Sequence, residues 1–170
     1  MAAFVPSALR PATAADLAAI RQWRNHPTVR RVMFTRHEIG ADEHAAWWAR
    51  ISESPRHRVL VLNCRGRDCG VVNFTADADT PRLWHWGFYL DPDAFTAPLA
   101  QLQAWGDMEK LSLQWAADEL GADEIACEVF ASNTAVLALH RRHRFQETGR
   151  YLRDCDGEQL EVVQLRRALR

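Results

Sequence analysis

Between Trp84 and Phe145 the chain runs through a strand-like WHWGFYL, a segment bearing glutamine and glycine, a helix, a second strand and ASNTAVLALHRRHRF. A strand ending in a bulge beside a helix opened by a glycine-bearing loop aims a row of free backbone N–H groups at one point. A pyrophosphate requires such a row, so this order of pieces reads as a site for an acyl-coenzyme A. His140 and His143 stand three apart on the last helical segment, where two imidazoles share a face. A lone i, i+3 pair with no carboxylate partner is a poor metal site, and contact with solvent or substrate is the better reading.

Those side chains need elements to hold them. Leu9-Arg10-Pro11 reads as a short strand, and Thr13 offers an N-cap for a helix whose Leu17, Ile20 and Trp23 keep helical spacing up to Asn25, before Pro27. VRRVMFTRHEI carries one short turn or helix and then a loop. ADEHAAWWARI is a second helix with acidic residues in its first turn, where they suit the dipole, and Pro55 follows it. VLVLNC, the polar turn RGRD and CGVVNFT have the pattern of a hairpin, and LWHWGFYL adds a third antiparallel strand. A helix from about Gly106 to Leu120, a buried strand EIACEVF, a helix TAVLALHRRH and two closing strands, 146–154 and 158–165 around CDG, complete an α+β or mixed α/β domain.

With 170 residues, 48% of them hydrophobic, the chain is expected to form one domain over 1–170. A formal charge of −1 gives no basic excess for nucleic acid or an anionic membrane. No apolar run approaches the roughly 20 residues of a membrane span, and MAAFVPSALR lacks a signal peptide's apolar centre, so a cytoplasmic protein is expected. Cys64, Cys69, Cys127 and Cys155 have neither C-x-x-C nor zinc-finger spacing and read as reduced, partly buried thiols; no metal site is expected.

Over essentially its whole length the sequence resembles the GNAT superfamily of acyl-CoA-dependent N-acetyltransferases. LRPATAADLAAIRQWRNHPTVR, GVVNFT, WGFYL and the closing N-x-x-x-x-x-x-H before RF fall in family order. Within it, WRNHPTVRRVMFTRHEI with EHAAWW is most similar to the pseudaminic acid pathway enzymes, which acetylate the 4-amino group of a UDP-linked deoxyaminosugar for flagellin glycosylation. The resemblance implies a mostly antiparallel twisted sheet of six to seven strands, about four flanking helices, and a splay at the central strands. It implies acetyl-CoA as co-substrate, a small-molecule nucleotide-sugar partner and no metal. A homodimer through the closing strands is open.

The superfamily's pyrophosphate loop, (Q/R)-x-x-G-x-(G/A), finds its best match at Gln103-Ala104-Trp105-Gly106-Asp107-Met108, where Met108 replaces a small residue and Asp107 stands beside the diphosphate's expected place. DAFTAPLAQLQ is longer than the family's loop. Direct attack of an amine on a thioester needs a neutral amine, a polarised carbonyl and a proton for the departing thiolate. Resemblance gives the polarising N–H to Tyr89 or Leu90, at a bulge. It also places the proton donor seven residues after Asn133, where the common tyrosine is His140, an imidazole able to donate near pH 7. Arg144 stands at a usual glycine.

For the base, Glu128 on EIACEVF is the first candidate, with His44 and Glu38 behind it. By resemblance Met33, Phe34, Trp48 and Tyr89 form the acceptor pocket. Their aromatic faces can stack on uracil or sugar, with Arg30 or Arg31 on the diphosphate. Trp47 and Trp48 are adjacent on a helix, so one is core and the other the platform. Two alternatives stay open: a protein N-terminal acetyltransferase, which shares the L-R-P…D-L…W-x-N opening, and a silent GNAT-fold binding module, suggested by Met108, Asp107, His140 and Arg144 together.

Overall fold

The computed structural model describes residues 6–170; the first five, part of the opening segment that lacks a signal-peptide centre, lie outside the described residues. Strand β1 (Ala8–Pro11) leads into a capping box in which the Thr13 N–H donates to Asp16 Oδ2 at 2.8 Å and the Thr13 hydroxyl meets the same oxygen at 3.1 Å. Helix α1 (Leu17–Asn25) buries Ile20 and Trp23 and gives way at His26 to a single turn, α2 (Pro27–Arg30). Asn25 clamps the loop that follows, donating to Ile39 O and accepting from Ile39 N, both at 2.8 Å. Helix α3 (Ala41–Ile51) follows.

Strands β2 (His57–Cys64), β3 (Arg67–Ala76) and β4 (Leu83–Leu90) form an antiparallel meander. The β2–β3 turn is the pair Arg65-Gly66, both at positive φ (55° and 91°), so β3 starts two residues earlier than the RGRD reading implies. Helix α4 (Pro98–Glu119), β5 (Glu124–Phe130), α5 (Thr134–Arg142), β6 (Gln146–Cys155) and β7 (Glu158–Ala168) complete the order. The seven strands make one mixed sheet in the order β1-β2-β3-β4-β5-β7-β6, in which β4 and β5 are the parallel pair. Five α-helices flank it, where about four were expected.

Both faces of the meander are covered. Leu60, Leu62, Val72, Phe74 and Trp86 pack with Met108 and Leu113 of α4, while Val61 and Val71 turn the other way onto Ile20 and Trp23. Double coverage explains why VLVL and GVVNF read as continuous apolar runs although their strands are antiparallel. Parallel pairing of β4 with β5 covers only Leu83–His85 against Glu124–Ala126. Beyond that the two strands part, and the seam is open. Among the described residues no helix is long and apolar enough to cross a membrane.

One element differs in a way that matters for the site. Helix α4 begins at Pro98, not near Gly106. Proline at the first helical position is pre-set for helix entry, and Leu-Ala-Gln-Leu-Gln-Ala-Trp behind it are good or neutral helix formers, so nothing delays the start.

Candidate active site

The open seam holds a cavity of about 370 Å³, lined by Trp86 to Leu90 of β4, Cys127 to Val129 of β5, Gln101 and Trp105 of α4, Asn133, Val136 and His140 around α5, and Val29 and Met33 near α2. Backbone direction along β4 follows from its pairing. The N–H of Asp91 bonds Cys69 O at 2.8 Å and the N–H of Asp77 bonds Leu83 O at 2.9 Å, at opposite ends of one unbroken antiparallel register. Alternation then turns Tyr89 N–H toward β3 and the N–H groups of Phe88 and Leu90 toward the seam. Of the two positions expected for a polarising donor, Tyr89 commits its N–H to the β3 ladder, and Leu90, together with Phe88, directs its N–H into the seam. No bulge interrupts the β3–β4 ladder; the divergence of β5 does the work of exposing those groups.

Asn133 is the N-cap residue of α5, but its side chain makes no cap bond and lines the cavity with its amide uncommitted among the described residues. His140 lies two turns further along the same face of α5 and is only 1% exposed, enclosed by Trp86, Phe88 and Phe145 with ring centroids 5.6, 5.8 and 4.9 Å away. Its Nδ1 meets Glu109 Oε1 at 2.8 Å, and its Nε2 has no protein partner among the described residues. The end of α5 is a Schellman turn: Phe145 N–H reaches His140 O at 3.0 Å and Arg144 takes φ 66°. Arginine thus keeps the left-handed geometry that glycine would supply.

Glu128 sits exposed on the cavity wall, accepting from Tyr151 Oη at 3.0 Å and Gln164 Nε2 at 3.1 Å. Burial pushes the Tyr151 hydroxyl up, and Glu128 beside it adds to the shift.

The Gln103–Met108 reading does not survive as a loop. Gln103, Ala104, Trp105, Gly106 and Asp107 are inside α4, where the helix's own carbonyls take their N–H groups. Ala104 and Met108 face the core, and only Trp105 and the preceding Gln101 line the cavity. Asp107 turns away and accepts from Ser7 Oγ at 2.6 Å. At the true start of α4, Pro98 has no N–H, and those of Ala100 and Gln101 already reach Ala97 O. The residues present thus fit the thioester end of acetyl-CoA through Phe88, Leu90, Asn133 and His140, whereas the diphosphate end departs from the family pattern.

A second chamber of about 520 Å³ lies across β4, walled by Arg24, Glu43, His44, Trp47, Arg50, Arg58, Asn73 and Tyr89 among others. Tyr89 belongs to the walls of both cavities. Its hydroxyl is pushed up by burial, partly offset by the Arg24 charge. Arg24 Nη2 donates to Thr35 O at 2.7 Å, while its buried Nη1 has no partner among the described residues. His44, a candidate base behind Glu128, is 6% exposed and stacks on Trp47 at 4.9 Å; burial holds its imidazole below the usual range.

Three acceptor assignments change accordingly. Trp47, not Trp48, faces the chamber, because its stacking with His44 one turn earlier turns it inward. Phe34 packs edge-on against Phe130 at 5.1 Å with Arg153 over its face, so it belongs to a small core cluster. Arg31, not Arg30, reaches the seam; Arg30 stands 3.7 Å from Glu38, a carboxylate exposed away from both cavities. Met33 lines the seam cavity and not the chamber across β4. Sequence reasoning missed Glu109, Arg24 and Trp86. Glu109 had a signal, a charged residue on the stripe Ala104, Met108, Ser112, Leu113, Ala116 that faces the core.

A family profile described as the acetyltransferase (GNAT) domain matches residues 8–146. The fold is similar to spermidine N-acetyltransferase from Vibrio cholerae, solved with CoA and spermine, at TM-score 0.83, 16% identity and coverage of 96% of this chain and 95% of that one. It is similar to a candidate phosphinothricin N-acetyltransferase at TM-score 0.79 and 19% identity, covering 96% and 99%. A candidate acetyltransferase from Salmonella typhimurium, solved with its cofactor acetyl-CoA, aligns at TM-score 0.73 and 19% identity over 98% and 95%. No curated protein sequence matches the chain.

Proposed function

The chain belongs to the acetyltransferase (GNAT) domain family, and from that premise we propose that its acceptor is the 4-amino group of a UDP-linked deoxyaminosugar, as in pseudaminic acid synthesis for flagellin glycosylation. It is an N-acetyltransferase, and acetyl-CoA is its acyl donor. The observation that carries the acceptor reading is the chamber across β4. It offers Trp47 and Tyr89 as flat faces, an unpartnered Arg24 nitrogen, and Arg50 and Arg58 against the one carboxylate of Glu43. A planar base and an anionic diphosphate suit such a lining. A polyamine, the acceptor in the V. cholerae relative's name, would meet like charge there.

In this reading Leu90 and Phe88 donate to the thioester oxygen, where negative charge grows as the amine attacks. Asn133 orients the donor through its free amide, and His140 Nε2 supplies the proton that the departing thiolate takes. Glu128, exposed at the cavity wall, accepts the amine's proton directly or through one water. Tyr89, shared by both cavities, marks where acceptor nitrogen and thioester meet.

The test is thiol release from acetyl-CoA with three acceptors: a UDP-4-amino-4,6-dideoxy sugar, spermidine and an N-terminal peptide. Turnover with the nucleotide sugar, lost in Arg24→Ala, supports the reading. Turnover with spermidine or the peptide and none with the sugar sinks it.

A further inference from the structure

Glu109 lies in the middle of α4, wholly buried, in a core otherwise made of Met108, Leu113, Trp86 and Phe145. Its carboxylate makes one bond, Oε1 to His140 Nδ1 at 2.8 Å, and Oε2 is buried without a partner, as is Ser112 Oγ one turn along. A carboxylate half-satisfied among the described residues inside an apolar core weakens the folded state, where leucine or methionine of like volume would strengthen it. Stability therefore does not explain this residue.

What Glu109 does explain is the ring of His140. Three aromatic neighbours confine its plane, but none of them hydrogen-bonds the ring among the described residues, so they do not distinguish Nδ1 from Nε2. Glu109 does. It turns Nδ1 inward and leaves Nε2 as the nitrogen on the cavity side. The surrounding ionisable groups are Cys127 on β5, whose thiol burial pushes up, and Arg167 on β7, which donates to His143 O at 2.7 Å.

We propose that Glu109 is a positioning residue for His140, and that the two form a buried carboxylate–imidazole pair that presents a proton at Nε2 to the leaving sulfur. The proposal rests on His140 as proton donor. In the step, the amine nitrogen bonds the acetyl carbon and the carbon–sulfur bond breaks with its electron pair on sulfur. His140 hands its Nε2 proton to that sulfur. The proton between Nδ1 and Oε1 stays on Nδ1, leaving a neutral ring and a carboxylate. The surplus proton of the amine leaves to solvent, and solvent returns one proton to the pair.

The test combines imidazole nitrogen NMR on the unliganded protein with kinetics using acetyl-CoA and the UDP-4-amino sugar. The His140 signals are assigned by their loss in His140→Ala. Expected for the native protein is one ring state that carries a proton on both Nδ1 and Nε2 opposite the Glu109 carboxylate; Glu109→Gln leaves a ring with a single proton that exchanges between the two nitrogens. Expected in kinetics is a fall in kcat of about 10- to 100-fold for Glu109→Gln with KM for acetyl-CoA held, and no further loss when it is added to His140→Ala. Glu109→Asp, which keeps the charge and shortens the reach, falls between and serves where the glutamine variant does not fold. Unchanged ring signals in Glu109→Gln, or losses that multiply in the double variant, overturn the proposal. Full kcat in His140→Ala overturns the proton-donor reading itself, which the ring signals of Glu109→Gln report separately.

Discussion

Gly70 of β3 lies opposite Leu90, the residue whose N–H faces the seam, and Met108 of α4 packs directly over it. A Cβ at position 70 would stand 2.6 Å from Met108 Cε, 2.7 Å from Leu90 Cδ2 and 3.0 Å from the carbonyl oxygen of Tyr89. Carbon pairs settle at roughly 3.5–4.0 Å, so two contacts are short by about 1 Å. Met108 is fully buried and has no free space to swing into, and the Tyr89 oxygen belongs to the backbone. Overpacking of this kind costs about 1–3 kcal/mol, against a gain of roughly 0.4–1 kcal/mol from stiffening the unfolded chain. Gly70→Ala is therefore expected to destabilise by about 1–2 kcal/mol. Met108→Ala alone, a cavity mutation, should cost about 2–5 kcal/mol. Together they should cost less than their sum by about 1 kcal/mol, because the alanine methyl occupies space that Met108 vacates. Urea unfolding followed by tryptophan fluorescence measures all four corners of the cycle. The Leu90 displacement predicts a second effect, weaker acetyl-CoA binding in Gly70→Ala than in the double variant. A neutral Gly70→Ala, or costs that add, would refute the packing argument and the role of Met108 as the residue that fits α4 to β3.

Asn133→Ala should leave the unfolding midpoint within about 0.5 kcal/mol of native, since no cap bond is lost, while raising KM for acetyl-CoA; a purely structural asparagine would show the reverse in the same two assays. Arg144→Gly should stabilise by about 1 kcal/mol in urea unfolding, because φ 66° strains any residue with a Cβ. Arg10 holds the Asp16 carboxyl at about 2, with contacts of 2.7 and 2.9 Å, so the folded value lies below the unfolded one. That stability is present above about pH 4 and drains away as pH falls toward 2. Asp16→Asn should cost about 1 kcal/mol at pH 7, reduced from the full shift because Arg10 is 40% exposed, and nothing near pH 2. Cys64, half-buried where Cys69, Cys127 and Cys155 are buried, and drawn down chiefly by the Cys69 thiol, should be the first of the four thiols alkylated by iodoacetamide, with a rate that rises with pH. Equal rates at all four would argue against that contact.

The succession of strands along the chain was legible because apolar runs bounded by turn residues fix strands whatever packs on them, whereas the splay at the central strands came from the family resemblance. Asn133 and His140 were singled out by the family resemblance, and their seven-residue spacing puts both on one face of α5. The start of α4 was not. A glycine in Q-A-W-G looks like a loop, but Gly106 carries ordinary helical geometry, and the open space where its Cβ would be shows that nothing there requires glycine. The choice between Trp47 and Trp48 was equally hidden, because it turns on His44, whose burial depends on α1 and β3 from other parts of the chain. Glu109 was overlooked for a related reason. A glutamate in a helix rich in Glu, Asp and Lys reads as surface until its stripe is compared with the core residues around it.

The most direct test of the account is a calorimetric titration of acetyl-CoA into the native protein and into Ala135→Trp, an exposed residue at the cavity mouth whose replacement fills the seam without touching the core. Saturable micromolar binding that falls more than about tenfold in the variant, at unchanged thermal stability, is the predicted result. No binding to the folded native protein, or equal binding to both, would contradict the placement of the thioester between β4 and β5.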